Sequence, residues 1–204
     1  VDTDGAVAAR LIGRPFHLLS LEIGGHRILR WLAAKHALSI VIQSKERLHY
    51  EFGIRIAADR PVFYIQNAPE VVRAPDVRHP NQSTPRLVYL GHLLPLHGLL
   101  IMLNLARSWP QATLTLAGLQ NPSGMAFINS HAKDLIDAGR VNLKPNYIPE
   151  AQLPDFLSEF DLGLCFYEID SSHRNFNYIS SPAGKMFNYF SAGVPVIASN
   201  LIGL

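Results

Sequence analysis

Lys185 is where a chemical reading of this chain starts. It lies in the stretch Ser180–Ser199, SSPAGKMFNYFSAGVPVIAS. There Ser181 reads as a helix cap, Pro182 as a first-turn residue and Gly193 as the stop. A helix N-terminus offers unpaired N–H groups and the positive end of the helix dipole, a setting that holds an anion such as phosphate. Lys185, in that first turn, adds a positive charge. The β-branched run 194–198 that follows reads as a buried strand.

Three further segments carry polar chemistry at expected strand ends. In Gly91–Gly98, GHLLPLHG, the glycines let backbone approach a ligand, and the imidazoles of His92 and His97 can donate to phosphate oxygens. The segment 144–149, KPNYIP, offers backbone groups and the flat ring of Tyr147. The long loop 167–180 brings His173, Arg174 and Asn177 toward the capped helix.

Other chemistries find no support. No Cys/His spacing suits zinc, and there is no Gly-x-Ser-x-Gly elbow or Walker loop. Asp2-Thr3-Asp4 is an isolated Asp-x-Asp, which reads as a solvated turn rather than a metal site. Cys165, the single cysteine, sits in the apolar run 162–166, so no internal disulfide framework exists and a buried, inert thiol is expected.

These loops need a scaffold, and the hydrophobic pattern supplies one. Strands are predicted over 16–23, 38–43, 62–66, 86–90, 112–117, 141–143, 162–166 and 194–198. Helices are predicted over 25–37, 45–52, 97–108, 125–138 and 150–160, besides the capped one. Serial strand–helix–strand units mean parallel sheets with helices on both faces. The alternation breaks at the proline-rich, polar stretch 71–85. The expected organisation is therefore an α/β chain of two doubly wound domains, 1–70 and 86–204, joined by that linker. In such sheets ligands bind beyond the carboxyl ends of the strands.

Composition is that of a globular chain: 204 residues, 48% apolar, with 18 basic and 16 acidic side chains. A formal charge of +2 gives no electrostatic case for nucleic acid or an anionic membrane. The opening is no signal peptide, and glycine, proline and histidine interrupt the most apolar window, 87–106, so no membrane span is expected. The chain reads as a piece of a longer protein at both ends.

Taken together, these residues resemble the GT-B glycosyltransferases of the large retaining family 4 group. The resemblance rests on Leu87-Val-Tyr-Leu-Gly-His-Leu, on Leu114-Thr-Leu-Ala-Gly118, on Tyr147-Ile-Pro-Glu-Ala-Gln-Leu-Pro and on Asp161-Leu-Gly-Leu. It rests most specifically on Ser181-Pro-Ala-Gly-Lys-Met-Phe-Asn-Tyr-Phe-Ser-Ala-Gly-Val-Pro-Val-Ile-Ala-Ser. More loosely, Ser44, Gln66-Asn67-Ala68-Pro69 and His17–Ile23 match, and Asp2–Gly5 resembles the end of a preceding strand.

The resemblance implies a GT-B-like fold of two Rossmann-like domains, with the N-terminal one incomplete and the C-terminal one truncated. It implies a UDP- or GDP-linked sugar donor held mainly by the second domain, with no separate cofactor and no obligatory metal. The acceptor, a carbohydrate or lipid-linked molecule as in polysaccharide biosynthesis, would sit on the first half. The implied donor contacts are Gly91, His92, His97, Asn146, Tyr147, Ile148, Asn177, Ser180, Ser181, Pro182, Lys185 and Asn188. No catalytic contact can be assigned in a front-face retaining reaction; His17 and Glu22 are candidates for touching the acceptor.

The chain departs from the family at defined places. His92 and His97 stand where Arg and Lys usually meet the diphosphate. Ser180 and Asn188 stand where two glutamates usually meet sugar and ribose. These departures motivate an alternative, a non-catalytic GT-B protein that binds a nucleotide sugar or partners an active transferase. A further alternative is a GT-B nucleotide-sugar epimerase. A cytoplasmic location is implied, with peripheral membrane association open through segments outside this chain.

Overall fold

The structure is a computed structural model and describes residues 2–23, 26–69, 83–144, 147–168 and 183–204. It divides into two compact α/β units. One holds residues 2–67 and Asn200–Leu204, and the other holds the described residues from Ala68 to Ser199.

The first unit opens with α1 (Thr3–Leu11). Its N-cap is Asp2, whose side chain accepts the Gly5 N–H at 2.9 Å. The expectation of a strand end at Asp2–Gly5 is therefore corrected: the two aspartates serve a helix start, where a carboxylate satisfies free N–H groups and the dipole. A three-stranded parallel sheet follows, order β1 (Leu18–Ser20), β2 (Ile40–Ile42), β3 (Val62–Tyr64). It is interleaved with α2 (Arg27–His36), α3 (Lys45–Phe52) and the short α4 (Ile56–Asp59). Ser44 caps α3 by accepting the Arg47 N–H. The core gathers Phe16, Leu18, Ala33, Ile40, Ile42, Leu48 and Phe52.

The second unit is a five-stranded parallel sheet built from β4 (Arg86–Leu90), β5 (Thr113–Ala117), β6 (Val141–Lys144), β7 (Leu162–Cys165) and β8 (Val196–Ala198). Their spatial order is β6-β5-β4-β7-β8. The chain winds outward from β4 in one direction and then restarts beyond it at β7, so the order reverses between these two strands. Alternation along β4 serves both faces. Leu87 and Tyr89 pack with α5 (Leu99–Ser108), α6 (Pro122–His131) and α7 (Lys133–Asp137). Val88 packs with α8 (Leu153–Leu157) and α9 (Gly184–Ser191).

Three predicted helices change shape. The helix expected over 97–108 is a 3₁₀ turn at Pro95–His97 followed by α5, because Gly98 sits at φ +73° between them. A β-carbon at Gly98 would meet the Phe166 β-carbon at 2.4 Å, so glycine is needed for the close approach as well as the turn. The helix expected over 125–138 starts earlier, at Pro122 under an Asn121 cap, and breaks at Ala132. The one expected over 150–160 is a 3₁₀ turn followed by α8.

Candidate functional site

The carboxyl ends of β4 and β7 flank the reversal of strand order, the position at which doubly wound sheets hold their ligands. Tyr189 of α9 occupies the gap where the two strands part. Its hydroxyl oxygen accepts the Leu90 N–H at 2.8 Å and its O–H donates to the Leu164 carbonyl at 3.2 Å. Burial pushes this phenol well above its ordinary value, so it stays protonated. A β-carbon at Gly163 would lie 2.6 Å from the Tyr189 ring, so this glycine makes room for it.

Above this bridge, Gly91 turns the chain out of β4 at φ +141°. The turn interlocks with the end of β5: Gly91 N–H bonds the Ala117 carbonyl, and a β-carbon on Gly118 would strike the Gly91 carbonyl oxygen at 2.3 Å. The next peptide is held from inside. The His92 carbonyl accepts the Tyr89 hydroxyl at 2.9 Å, the His97 Nδ1–H at 2.9 Å and the Leu94 N–H at 3.0 Å. Donation by His97 to a carbonyl fixes the proton on Nδ1.

Lys185 enters from the first turn of α9. Its Nζ donates to the Tyr89 hydroxyl oxygen at 3.1 Å and lies 4.3 Å from the centre of the Tyr89 ring and 5.2 Å from that of Tyr167. A β-carbon on Gly91 would be 3.2 Å from Nζ. The α9 start and the Gly91 turn therefore meet through this side chain. Burial pushes the Lys185 pKa down to about 8, with Cys165 opposing the shift. No carboxylate pairs with it among the described residues. The ammonium is held against two aromatic faces and keeps hydrogens that an anion could accept.

The candidate residues of the second unit separate into those that face outward and those that support. Gly91, the exposed His92 and Lys185 come together. His97 turns inward: it is 8% exposed, edge-on to Tyr167 with ring centroids 5.4 Å apart. Burial lowers its pKa, and the nearby Lys185 and His92 lower it further against the opposing bond to the His92 carbonyl. It is a neutral imidazole that positions the turn, which corrects the expectation that it meets the diphosphate as a donor beside His92. Asn188 is half-buried on α9 and Tyr147 is 72% exposed, while Ile148 packs against the core cluster to which Val88, Phe156 and Tyr189 belong. The helix that Ser181 and Pro182 were expected to start begins at Gly184, with Ala183 at the cap and no side-chain cap bond. Asn146, Asn177, Ser180, Ser181 and Pro182 lie outside the described residues.

In the first unit His17 and Glu22 do not sit together. His17 precedes β1, at the amino edge of the sheet, where its Nδ1 is 2.7 Å from Ser39 Oγ. Glu22 follows the carboxyl end of β1. The reason is β1 itself, which spans Leu18–Ser20 rather than 16–23. Two arginines pin the backbone that presents Glu22: Arg30 donates to the Glu22 carbonyl at 2.9 Å, and Arg47 donates to the Leu21 carbonyl and to Gln43. Arg30 also pairs with buried Glu51, which accepts the Ser20 hydroxyl at 2.7 Å. Burial lowers the Arg47 pKa, with Glu22 and Glu51 opposing.

Sequence reading passed over Tyr89, Tyr167, Tyr189 and this arginine network. The one local signal was a tyrosine two places before a turn glycine, at Tyr89; the others are defined by contacts distant in sequence.

No family model matches the chain, and no curated protein matches it in sequence. Solved structures match it in fold. HepE from Anabaena, in complex with UDP, is 18% identical at a TM-score of 0.73, covering 98% of this chain and 57% of HepE. TarM from S. aureus, in complex with fondaparinux, alpha-GlcNAc-glycerol and UDP, is 12% identical at 0.61, covering 92% and 37%. The pneumococcal O-GlcNAc transferase GtfA, in complex with UDP and GlcNAc, is 9% identical at 0.58, covering 96% and 39%. The chain thus spans less than two thirds of each of these proteins, and its α/β fold is GT-B-like.

Proposed function

We propose that this chain is a glycosyltransferase of the family 4 type that moves a hexosyl unit from a nucleoside-diphosphate sugar to a carbohydrate or lipid-linked acceptor, with retention. In this reading residues 1–70 serve the acceptor, 71–85 link, and 86–204 bind the donor. The observation that carries it is Lys185 reaching the Gly91 turn at the reversal of strand order. A fixed cation at such a turn suits a diphosphate leaving group, whose charge grows as the glycosidic bond breaks. UDP is the favoured nucleotide, since UDP is bound in each of the three similar structures. No separate cofactor is assigned.

Titration calorimetry with UDP, UDP-sugars and GDP-sugars tests the reading. Saturable binding to a UDP-sugar, weakened about tenfold or more in Lys185→Ala, is expected, because a charge-assisted hydrogen bond contributes about 1.5–3 kcal/mol. Absence of binding to every nucleotide sugar sinks it.

A second reading is a binding protein without turnover. The inward, neutral His97 and an amide rather than a carboxylate at Asn188 favour it. Donor binding without hydrolysis or transfer across an acceptor panel would select it.

A further inference from the structure

Lys185 and Tyr89 belong to opposite layers of the second unit. Lys185 lies in the first turn of α9, the helix that covers the Val88 face of β4. The Tyr89 ring is fully buried on the other face, in the core with Leu99, Met102 and Leu103 of α5. The ammonium nevertheless ends 4.3 Å from the centre of that ring and 3.1 Å from its hydroxyl oxygen. The lysine stem therefore crosses the carboxyl end of the sheet, and the group it meets on the far side is the tyrosine.

The hydroxyl is itself held. Its O–H donates to the His92 carbonyl at 2.9 Å, and His97 Nδ1 lies 3.1 Å from the same oxygen. A hydroxyl has one proton and two lone pairs. With the proton committed to the His92 carbonyl, lone-pair density is left for Lys185. His97 is no substitute as an anchor, because its Nδ1 proton goes to that carbonyl too. The path from Nζ through the Tyr89 hydroxyl to the His92 carbonyl thus ties the ammonium to the backbone of the Gly91 turn.

The groups around the ammonium are Tyr89 on β4, Cys165 at the end of β7, Tyr167 beyond it, and His92 and His97 of the turn. Among the described residues the Tyr89 hydroxyl is the only hydrogen-bond acceptor of Nζ. A lysine has a flexible stem and a strongly hydrated charge, which favour an extended, solvated pose unless a partner holds it. We propose that Tyr89 is a positioning residue of the donor site: its hydroxyl draws Lys185 over the end of the sheet and holds the ammonium at the Gly91 turn. This inference rests on the donor reading above. Tyr89 is sealed from solvent and acts on a nucleotide only through Lys185.

Tyr89→Phe tests it, because the ring keeps its packing and the His92 carbonyl keeps the His97 and Leu94 donors. Calorimetry with UDP on the full chain should show affinity weakened about fivefold or more, since a hydrogen bond to a charged group is lost. In a Lys185→Ala background the same change should cost less than about twofold, because a residue that works through the lysine has nothing left to hold. An equal loss in both backgrounds would make Tyr89 a merely structural residue and overturns the proposal. A second readout needs no nucleotide. Side-chain NMR on chain carrying isotope-labelled lysine, with the Lys185 signal identified by its loss in Lys185→Ala, should give a titration midpoint of about 8 in the parent. Removing the acceptor disfavours the charged form, so in Tyr89→Phe the midpoint should fall by about half a pH unit or more. An unchanged midpoint overturns the proposal even if UDP binds. A lowered midpoint in a chain that binds no nucleotide upholds the grip of Tyr89 on Lys185 and sinks the donor reading alone.

Discussion

A β-carbon added to Gly91 would lie 3.2 Å from Lys185 Nζ and 3.3 Å from the Tyr89 hydroxyl. The turn and the cation are thus fitted to one another, and Gly91 holds φ at +141°. Gly91→Ala should cost about 1–3 kcal/mol in backbone strain. It should also displace the flexible lysine, so that UDP affinity falls more than stability predicts. Urea denaturation and calorimetry on the same variant check the two effects. A variant destabilised as expected but binding UDP normally would separate the lysine from the nucleotide.

Lys185 makes the site sensitive to alkali. Its pKa of about 8 in the fold stands against an ordinary 10.5. The unfolded chain therefore holds the extra proton between these values. The stability due to this group is full above about 10.5 and is lost as pH falls through about 8. Binding runs the other way, because a diphosphate favours the charged ammonium. UDP affinity should drop by up to about one decade per pH unit above about 8. Lys185→Arg should flatten that profile, since guanidinium keeps its proton. A pH-independent affinity in the parent chain would contradict this.

Tyr189 and Gly163 form a second matched pair. Gly163→Ala puts a methyl into the tyrosine ring at 2.6 Å and should destabilise the second unit by about 1–3 kcal/mol. Tyr189→Phe leaves the ring but strips the acceptor from the Leu90 N–H, a loss of about 1–3 kcal/mol if no water replaces it. Hydrogen exchange at the Leu90 amide should accelerate in both variants. Protection retained in Tyr189→Phe would mean that water has taken the hydroxyl's place.

The two acceptor candidates now separate. Glu22 sits beyond the carboxyl end of β1 on backbone held by Arg30 and Arg47, whereas His17 sits at the amino edge beside Ser39. With a transferable acceptor in hand, Glu22→Gln should raise the acceptor KM or lower kcat by about tenfold. His17→Ala should change neither and cost about 1 kcal/mol in stability through the lost hydrogen bond. The reverse pattern would restore His17 as the contact.

Much of the scaffold was legible because its signals are local. The run at 86–90 is bounded by Pro85 and Gly91 and forms β4 with those limits, and the helix predicted over 45–52 forms at Lys45–Phe52. The misreadings arose where a local signal had two meanings. Asp-x-Asp-Gly suits a strand end or a helix start, and only the bond from Gly5 N–H to Asp2 decides. The histidines at 92 and 97 look equivalent in a glycine-bounded loop. One is exposed and the other is drawn inward by Tyr89 and Tyr167, contacts made by folding.

Cys165 gives the molecule its own reporter. It is the sole thiol, sealed at the end of β7, and burial raises its pKa despite Lys185 and a hydrogen bond to Tyr167. An alkylating reagent can reach the sulfur only when that strand end frays. The labelling rate therefore reads out, without any added dye or engineered position, how often this edge breathes and whether an occupant holds it shut.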